Sequence, residues 1–201
     1  MRRSLLGIAA AGLLLLGGTA VAQTSQPVRV RATIDTVSGE TLNLTSRTGE
    51  KLTVALAPNA QVSGLVVTDI TMIKPGSFIG TAAVPAPNGQ LRALEVHVFP
   101  ESMRGLGEGH RPWDSGKDSS MTNGTVGTVT GTTERTLQVS YKGGEKTVIV
   151  PADVPIVTFD EGDHTLLQPG AHIIVFTTKG ADGTLSADRV VVGRNGITPP
   201  M

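Results

Sequence analysis

An internal duplication constrains the fold of this chain more than any other feature of its sequence. Self-similarity at a fixed spacing indicates a supersecondary unit that occurs more than once. The matched segments are 41–44 with 136–139, 49–51 with 144–146, 74–76 with 168–170, and 88–93 with 182–187. We therefore expect two copies of one folding module, at residues 28–99 and 123–194.

Most segments of both copies alternate apolar and polar residues with a period of two. Residues 28–35 show this pattern, which is typical of a half-buried strand, and residues 52–56 and 62–67 are predicted as two further strands. Between the later strands, Thr68 or Asp69 could cap a single helical turn that ends before Pro75-Gly76. No interval has a long helical period, so we expect an all-β chain.

One irregularity of this alternation occurs in both copies. Leu91 and Ala93 share one face of the predicted strand, whereas Val96 lies on the other parity. The second copy makes the same shift between Ala187 and Val190. A shift present in both copies predicts a β-bulge, which bends a strand as the closure of a small barrel requires.

Five or six short strands with one helical turn in each copy predict a small OB-like β-barrel. We expect two such barrels in tandem, at residues 28–99 and 123–194, joined by a Gly-, Pro- and Trp-containing linker at 100–122 and followed by a tail at 195–201. A single continuous sandwich built from both halves is the alternative.

The first 22 residues have the pattern of a signal peptide. Arg2 and Arg3 precede an apolar run from Leu5 to Leu16, and Ala20-Val21-Ala22 is a cleavage site of small residues. A membrane anchor is the alternative, but the run is short for a bilayer, and no second apolar segment could cross one. We expect a periplasmic or secreted protein with no transmembrane segment in the mature chain.

Composition excludes several classes of function. The chain has no cysteine, so it contains neither disulfides nor thiolate metal sites. Its 17 basic and 17 acidic residues balance, and only 3% of residues are aromatic, which argues against a nucleic-acid partner. No Gly-x-Ser-x-Gly motif is present, so we predict no catalytic residues and no enzyme activity.

The linker contains two sets of candidate site residues. Met103, Arg104, Arg111 and Trp113 could form a recognition patch, since aromatic and arginine side chains dominate interface energies. Alternatively, Trp113 anchors the linker onto a barrel.

A metal site is the second possibility for this part of the chain. Imidazole and carboxylate groups suit Zn²⁺ or another divalent ion. The candidate ligands are His97, Glu101, Glu108, His110 and Asp114. A polar loop that covers a barrel mouth is the alternative, because no compact His-x-x-x-His pair is present.

The repeated plan resembles a bacterial family of exported domains of unknown function. The resemblance covers about Val28 to Val98 and Val126 to Val192, and the run from Phe99 to Asp114 is similar to a subgroup with two units. It implies tandem OB-like β-barrels in the periplasm and no established activity. Some relatives are labelled metal-transport permeases, a label that this chain, without membrane spans, does not support.

These observations predict a non-enzymatic periplasmic or secreted binding protein of the cell envelope. Its partner would be an envelope protein or a small ligand, and no cofactor is required. One alternative is a periplasmic divalent-metal binder that uses the linker histidines and carboxylates. The other is a structural component of the envelope.

Overall fold

The computed structural model describes residues 28–131 and 135–200, so the predicted signal peptide lies outside the described residues. The described residues form twelve strands: β1 Val28–Ser38, β2 Thr41–Ser46, β3 Lys51–Val67, β4 Phe78–Pro85, β5 Leu91–Val98, β6 Gly109–Pro112, β7 Ser120–Thr130, β8 Arg135–Tyr141, β9 Gly144–Val150, β10 Ile156–Asp160, β11 His172–Lys179 and β12 Leu185–Gly193. Short 3-10 turns occur at Ile70–Met72, Pro87–Gly89, Glu101–Met103, His164–Leu166 and Arg194–Gly196. The prediction of an all-β chain that contains a β-barrel is confirmed.

The strand pairings close two rings of five strands each. The first ring has the order β1-β2-β3-β12-β11 and returns to β1, with only the β3–β12 pair parallel. The second ring has the order β7-β8-β9-β5-β4 and returns to β7, with only the β5–β9 pair parallel. Each ring encloses its own hydrophobic cluster, in which Leu42 and Leu44 of the first ring and Leu137 and Val139 of the second are fully buried.

The rings do not follow the repeats. The hairpin β4–β5 belongs to the first repeat but closes the second ring, and the hairpin β11–β12 belongs to the second repeat but closes the first ring. The two halves of the chain thus exchange hairpins. The prediction of two tandem OB-like barrels, each formed by one repeat, is not confirmed.

Strand β10 joins the two rings. It pairs antiparallel with the end of β3 and parallel with β5, so all twelve strands belong to one continuous sheet. A third hydrophobic cluster lies at this junction, outside both ring interiors. Its buried members are Leu65, Val157, Ile174 and Val191, with Phe159, Phe176 and Ile197 packed against them.

Two local predictions agree with the structure. The pairing of β4 with β5 shifts between Ala82 and Ala83, and that of β11 with β12 shifts between Phe176 and Thr177, so both copies contain the bulge. Asp69 caps the 3-10 turn Ile70–Met72 by accepting a hydrogen bond from the Thr71 amide at 2.7 Å.

Two other local predictions are wrong. Residues 52–56 and 62–67 are not separate strands but parts of the continuous strand β3. Pro58 is tolerated there because residues 57–60 pair with neither β2 nor β12, so the strand needs no amide donor at that position. The segment 100–122 is more than a linker, because it contains β6, which pairs with the first residues of β7.

Candidate functional site

A cavity of about 190 Å³ lies between the two rings, beside the third hydrophobic cluster. Strands β1, β3, β11 and β12 of the first ring form one side, and β7 of the second ring, with the loop that follows β5, forms the other. We call it the inter-ring cavity. Because both rings contribute to it, neither ring alone would contain this site.

Aromatic rings form the apolar part of the inter-ring cavity. Phe99 follows β5, Phe159 lies in β10, and their rings stack with centroids 5.4 Å apart. Phe176 of β11, Met121 of β7 and other apolar side chains complete this surface. Stacked aromatic side chains of this kind favour flat apolar ligand groups.

Trp113 is held against the cavity by a network on β1. Asp114 accepts hydrogen bonds from Arg29 at 3.1 Å and from both terminal nitrogens of Arg31 at 2.9 and 2.8 Å. The two arginines are alternate residues of β1 and therefore project from the same face. The hydrogen bonds from Arg31, together with those from Arg29, hold the pKa of Asp114 far below its ordinary value.

Guanidinium groups lie over two of the aromatic rings. The Cζ atom of Arg29 is 3.8 Å from the centroid of Trp113, and that of Arg111 is 5.2 Å from it. In the first ring, the Cζ atom of Arg189 is 3.7 Å from the centroid of Phe176, on which the guanidinium group stacks. Burial is the main cause that lowers the pKa of Arg111 and of Arg189, yet both side chains stay charged because arginine titrates far above neutral pH.

Several polar atoms of the lining residues lack a hydrogen-bond partner among the described protein atoms. They are Nε1 of Trp113, Nε of Arg29 and Oδ1 of Asn123, all buried. The Asn123 Nδ2 group donates to the Leu106 carbonyl at 2.9 Å and so fixes the loop over the cavity. Buried polar groups are normally satisfied, so unpaired ones at a cavity indicate room for water or a ligand.

The predicted binding residues separate into two groups. Met103, Arg111 and Trp113 line the inter-ring cavity. Arg104 does not, because it pairs with Glu101 at 2.5 Å and donates to the Gly76 carbonyl at 2.9 Å.

The predicted metal ligands do not converge. No group of three or more His, Asp or Glu side chains that could hold a metal ion occurs within residues 28–131 and 135–200. The separate contacts are His97 with Glu95, Glu101 with Arg104, Glu108 with the Lys142 amide, His110 with Thr122, and Asp114 with Arg29 and Arg31.

A buried pair of a carboxyl group and an imidazole lies on the outward face of β5. Glu95 and His97 are 2% and 0% exposed, and Oε2 of Glu95 lies 2.5 Å from Nδ1 of His97. The other carboxylate oxygen accepts a hydrogen bond from the Ala82 amide beside the bulge, at 3.1 Å. The centroids of the His97 and Phe159 rings are 5.6 Å apart, so the pair packs against an aromatic residue that lines the cavity.

Sequence reasoning missed Arg29, Arg189 and the Glu95–His97 pair. A signal was present in the second copy, where Ile173–Val175 and Val190–Val192 are uninterrupted apolar runs. Such runs indicate strands that are buried on both faces. They could have shown that the outer face of the β11–β12 hairpin is covered. They could not have shown which part of the chain covers it.

Comparison with protein-family models, with curated proteins and with solved structures finds no match. Within the described part of the chain, no helix is long and apolar enough to cross a membrane.

Proposed function

We propose that this protein is an exported, non-enzymatic binding protein of the cell envelope and that the inter-ring cavity is its ligand site. The observation that carries this proposal is the cavity itself, with its stacked phenylalanines, its tryptophan and its unpaired polar atoms. Ligand sites are typically concave and apolar with a few polar groups that orient the ligand.

The ligand would be small. The inter-ring cavity measures about 190 Å³, which is below the roughly 300–1,000 Å³ typical of sites for drug-sized molecules. A compound with one ring and a short chain suits this volume.

The proposal also includes OB-type topology for each ring, supported by five strands and a 3-10 turn before each exchanged hairpin. The repeated plan supports membership of the exported family, and residues 1–22 support a periplasmic or secreted location.

Trp113 provides the test, because it is the only tryptophan of the chain and lines the cavity. We expect 4-phenyl-1-butanol, its carboxylate analogue 4-phenylbutyrate, or both, to change Trp113 fluorescence saturably and to raise the melting temperature. Ser63→Phe places a ring in the cavity lining and should weaken this binding at least about tenfold.

Ala55→Phe is the matched control, because Ala55 is an exposed residue of the same strand, outside the cavity lining. It should leave binding unchanged. Absence of saturable binding by every probe, or equal binding by the two phenylalanine variants, would contradict the proposed site.

A further inference from the structure

We propose that the ligand of the inter-ring cavity is a small amphipathic carboxylate, with its apolar end among the phenylalanines and its anionic end on Arg111 and Arg189. This inference rests on the proposed function. It begins from the charges of the lining, which includes three arginines, Arg29, Arg111 and Arg189, and no Asp or Glu.

The arginines of the cavity differ in their existing partners. Arg29 already binds Asp114, which also pairs with Arg31. Within the described residues, Arg111 and Arg189 form no ion pair: Arg111 donates to the Gly107 carbonyl at 2.8 Å, and Arg189 stacks on Phe176. Two guanidinium groups are therefore left to receive an anion from outside the chain.

Electrostatics favour an anion at this place. Burial lowers the pKa of Arg111, and the nearby charge of Arg29 lowers it further, which shows that the two guanidinium groups repel each other. A bound carboxylate would offset this repulsion. It would also restore to the arginines the charge-assisted hydrogen bonds that burial removes.

The remaining lining is consistent with a carboxylate that carries a flat apolar group. Trp113 Nε1 and Arg29 Nε are buried donors without a partner among the described atoms, so an acceptor on the ligand would suit them. Phe99, Phe159 and Phe176 provide the surface for the apolar end. A cationic ligand would meet the charges of Arg111 and Arg189 and no lining carboxylate.

Three probes with one carbon skeleton test the inference: 4-phenylbutyrate, 4-phenyl-1-butanol and 4-phenylbutylamine. We expect the carboxylate to bind at least about tenfold more tightly than the alcohol, because hydrogen bonds to charged groups are stronger than neutral ones. The amine should bind most weakly. Titration calorimetry and Trp113 fluorescence would measure all three, and added salt should reduce the preference.

Charge-removing variants locate the contact. Arg111→Gln combined with Arg189→Gln should abolish the preference, so that this variant binds the carboxylate no more tightly than it binds the alcohol. Arg47→Gln is the matched control, because Arg47 is exposed and does not line the cavity. It should leave the preference intact.

The outcomes separate this inference from the proposed function. Equal binding of the carboxylate and the alcohol, or preference for the amine, would overturn the anion assignment and leave the cavity as a ligand site. A carboxylate preference that survives in the Arg111/Arg189 variant would also overturn it. Failure of all three probes to bind would refute the proposed function and the inference together.

Discussion

The exchanged hairpins β4–β5 and β11–β12 occupy equivalent places in the two rings but differ on one face. Their inward positions match: Ile79 with Ile173, Ala93 with Ala187, and Val96 with Val190. All six side chains are at most 2% exposed. The two ring interiors thus contain the same residues at these three matched positions.

The outward positions of the same hairpins have diverged. The matched outward positions are Gly80 with Ile174, Ala82 with Phe176, Glu95 with Arg189, and His97 with Val191. One hairpin therefore carries the buried Glu95–His97 pair and small residues, whereas the other carries apolar side chains and an arginine at the cavity. The comparison shows that the two hairpins differ on the face where the two rings meet.

Gly80 illustrates the packing at this junction. A Cβ atom at position 80 would lie 2.8 Å from Oδ1 of Asn123 and 3.0 Å from the Phe99 ring. The equivalent Ile174 fits the other hairpin because it packs in the third hydrophobic cluster. The two outer faces are therefore not interchangeable, although three matched inward positions carry the same residues.

Truncation of the matched core residues should have the largest effect. Ile79→Ala and Ile173→Ala should each lower the free energy of unfolding by about 2–5 kcal/mol, because each leaves a cavity in a ring interior. Since each ring needs a hairpin from the other half, we expect a single transition in urea by circular dichroism and by Trp113 fluorescence. Two transitions, with each variant shifting a different one, would contradict the coupling.

Loss of one member of the buried Glu95–His97 pair should be the next largest effect. Glu95→Ala or His97→Ala should each lower the free energy of unfolding by about 3 kcal/mol, because the remaining polar group stays buried without its partner. The double variant Glu95→Ala/His97→Ala should cost less than the two single changes together, because neither polar group is then left buried without its partner. Additive costs in urea unfolding would show that the pair is not coupled.

The smallest expected effect concerns Asp114, whose side chain is 52% exposed. Asp114→Asn should lower the free energy of unfolding by about 0.5–1 kcal/mol at neutral pH, because solvent screens the ion pairs with Arg29 and Arg31. Asp188→Asn, at an exposed residue of β12 with no ion pair among the described residues, is the control and should have no measurable effect.

The pH dependence of the Asp114 effect follows from the direction of its pKa shift. The pKa is lower in the folded state, so the stabilisation is fully present above the unfolded pKa of about 3.9 and is lost as the pH falls below it. The difference in melting temperature between Asp114→Asn and the parent chain should therefore shrink between pH 5 and pH 2. A difference that grows on acidification would contradict this assignment.

Local features of the fold could be predicted because they depend on neighbours in sequence. Asp69 and Asp163 cap their 3-10 turns by accepting hydrogen bonds from the amides two residues later. The parity shift before Val96 and before Val190 marks the two bulges. The continuity of β3 through Pro58 was not predicted, since it depends on the absence of a pairing partner there.

The candidate site was predicted only in part. Met103, Arg111 and Trp113 were recognisable because they lie in a long segment without a counterpart in the repeat. Arg29 lies in a strand with ordinary alternation, where a charged residue normally faces solvent, and Arg189 directly precedes the apolar run Val190–Val192. Their place at the cavity depends on the second ring, which covers that face.

The sequence alone determined most of the strands, the capped turn at Asp69, the two bulges and many of the inward residues of the two cores. It could not determine which hairpin closes which ring, because β4–β5 and β11–β12 share the buried inward residues Ile79/Ile173, Ala93/Ala187 and Val96/Val190. Only the tertiary structure decided the exchange and, with it, the inter-ring cavity. The physical reason is that local patterning specifies burial, whereas the choice between equivalent partners depends on contacts between outer faces distant in sequence.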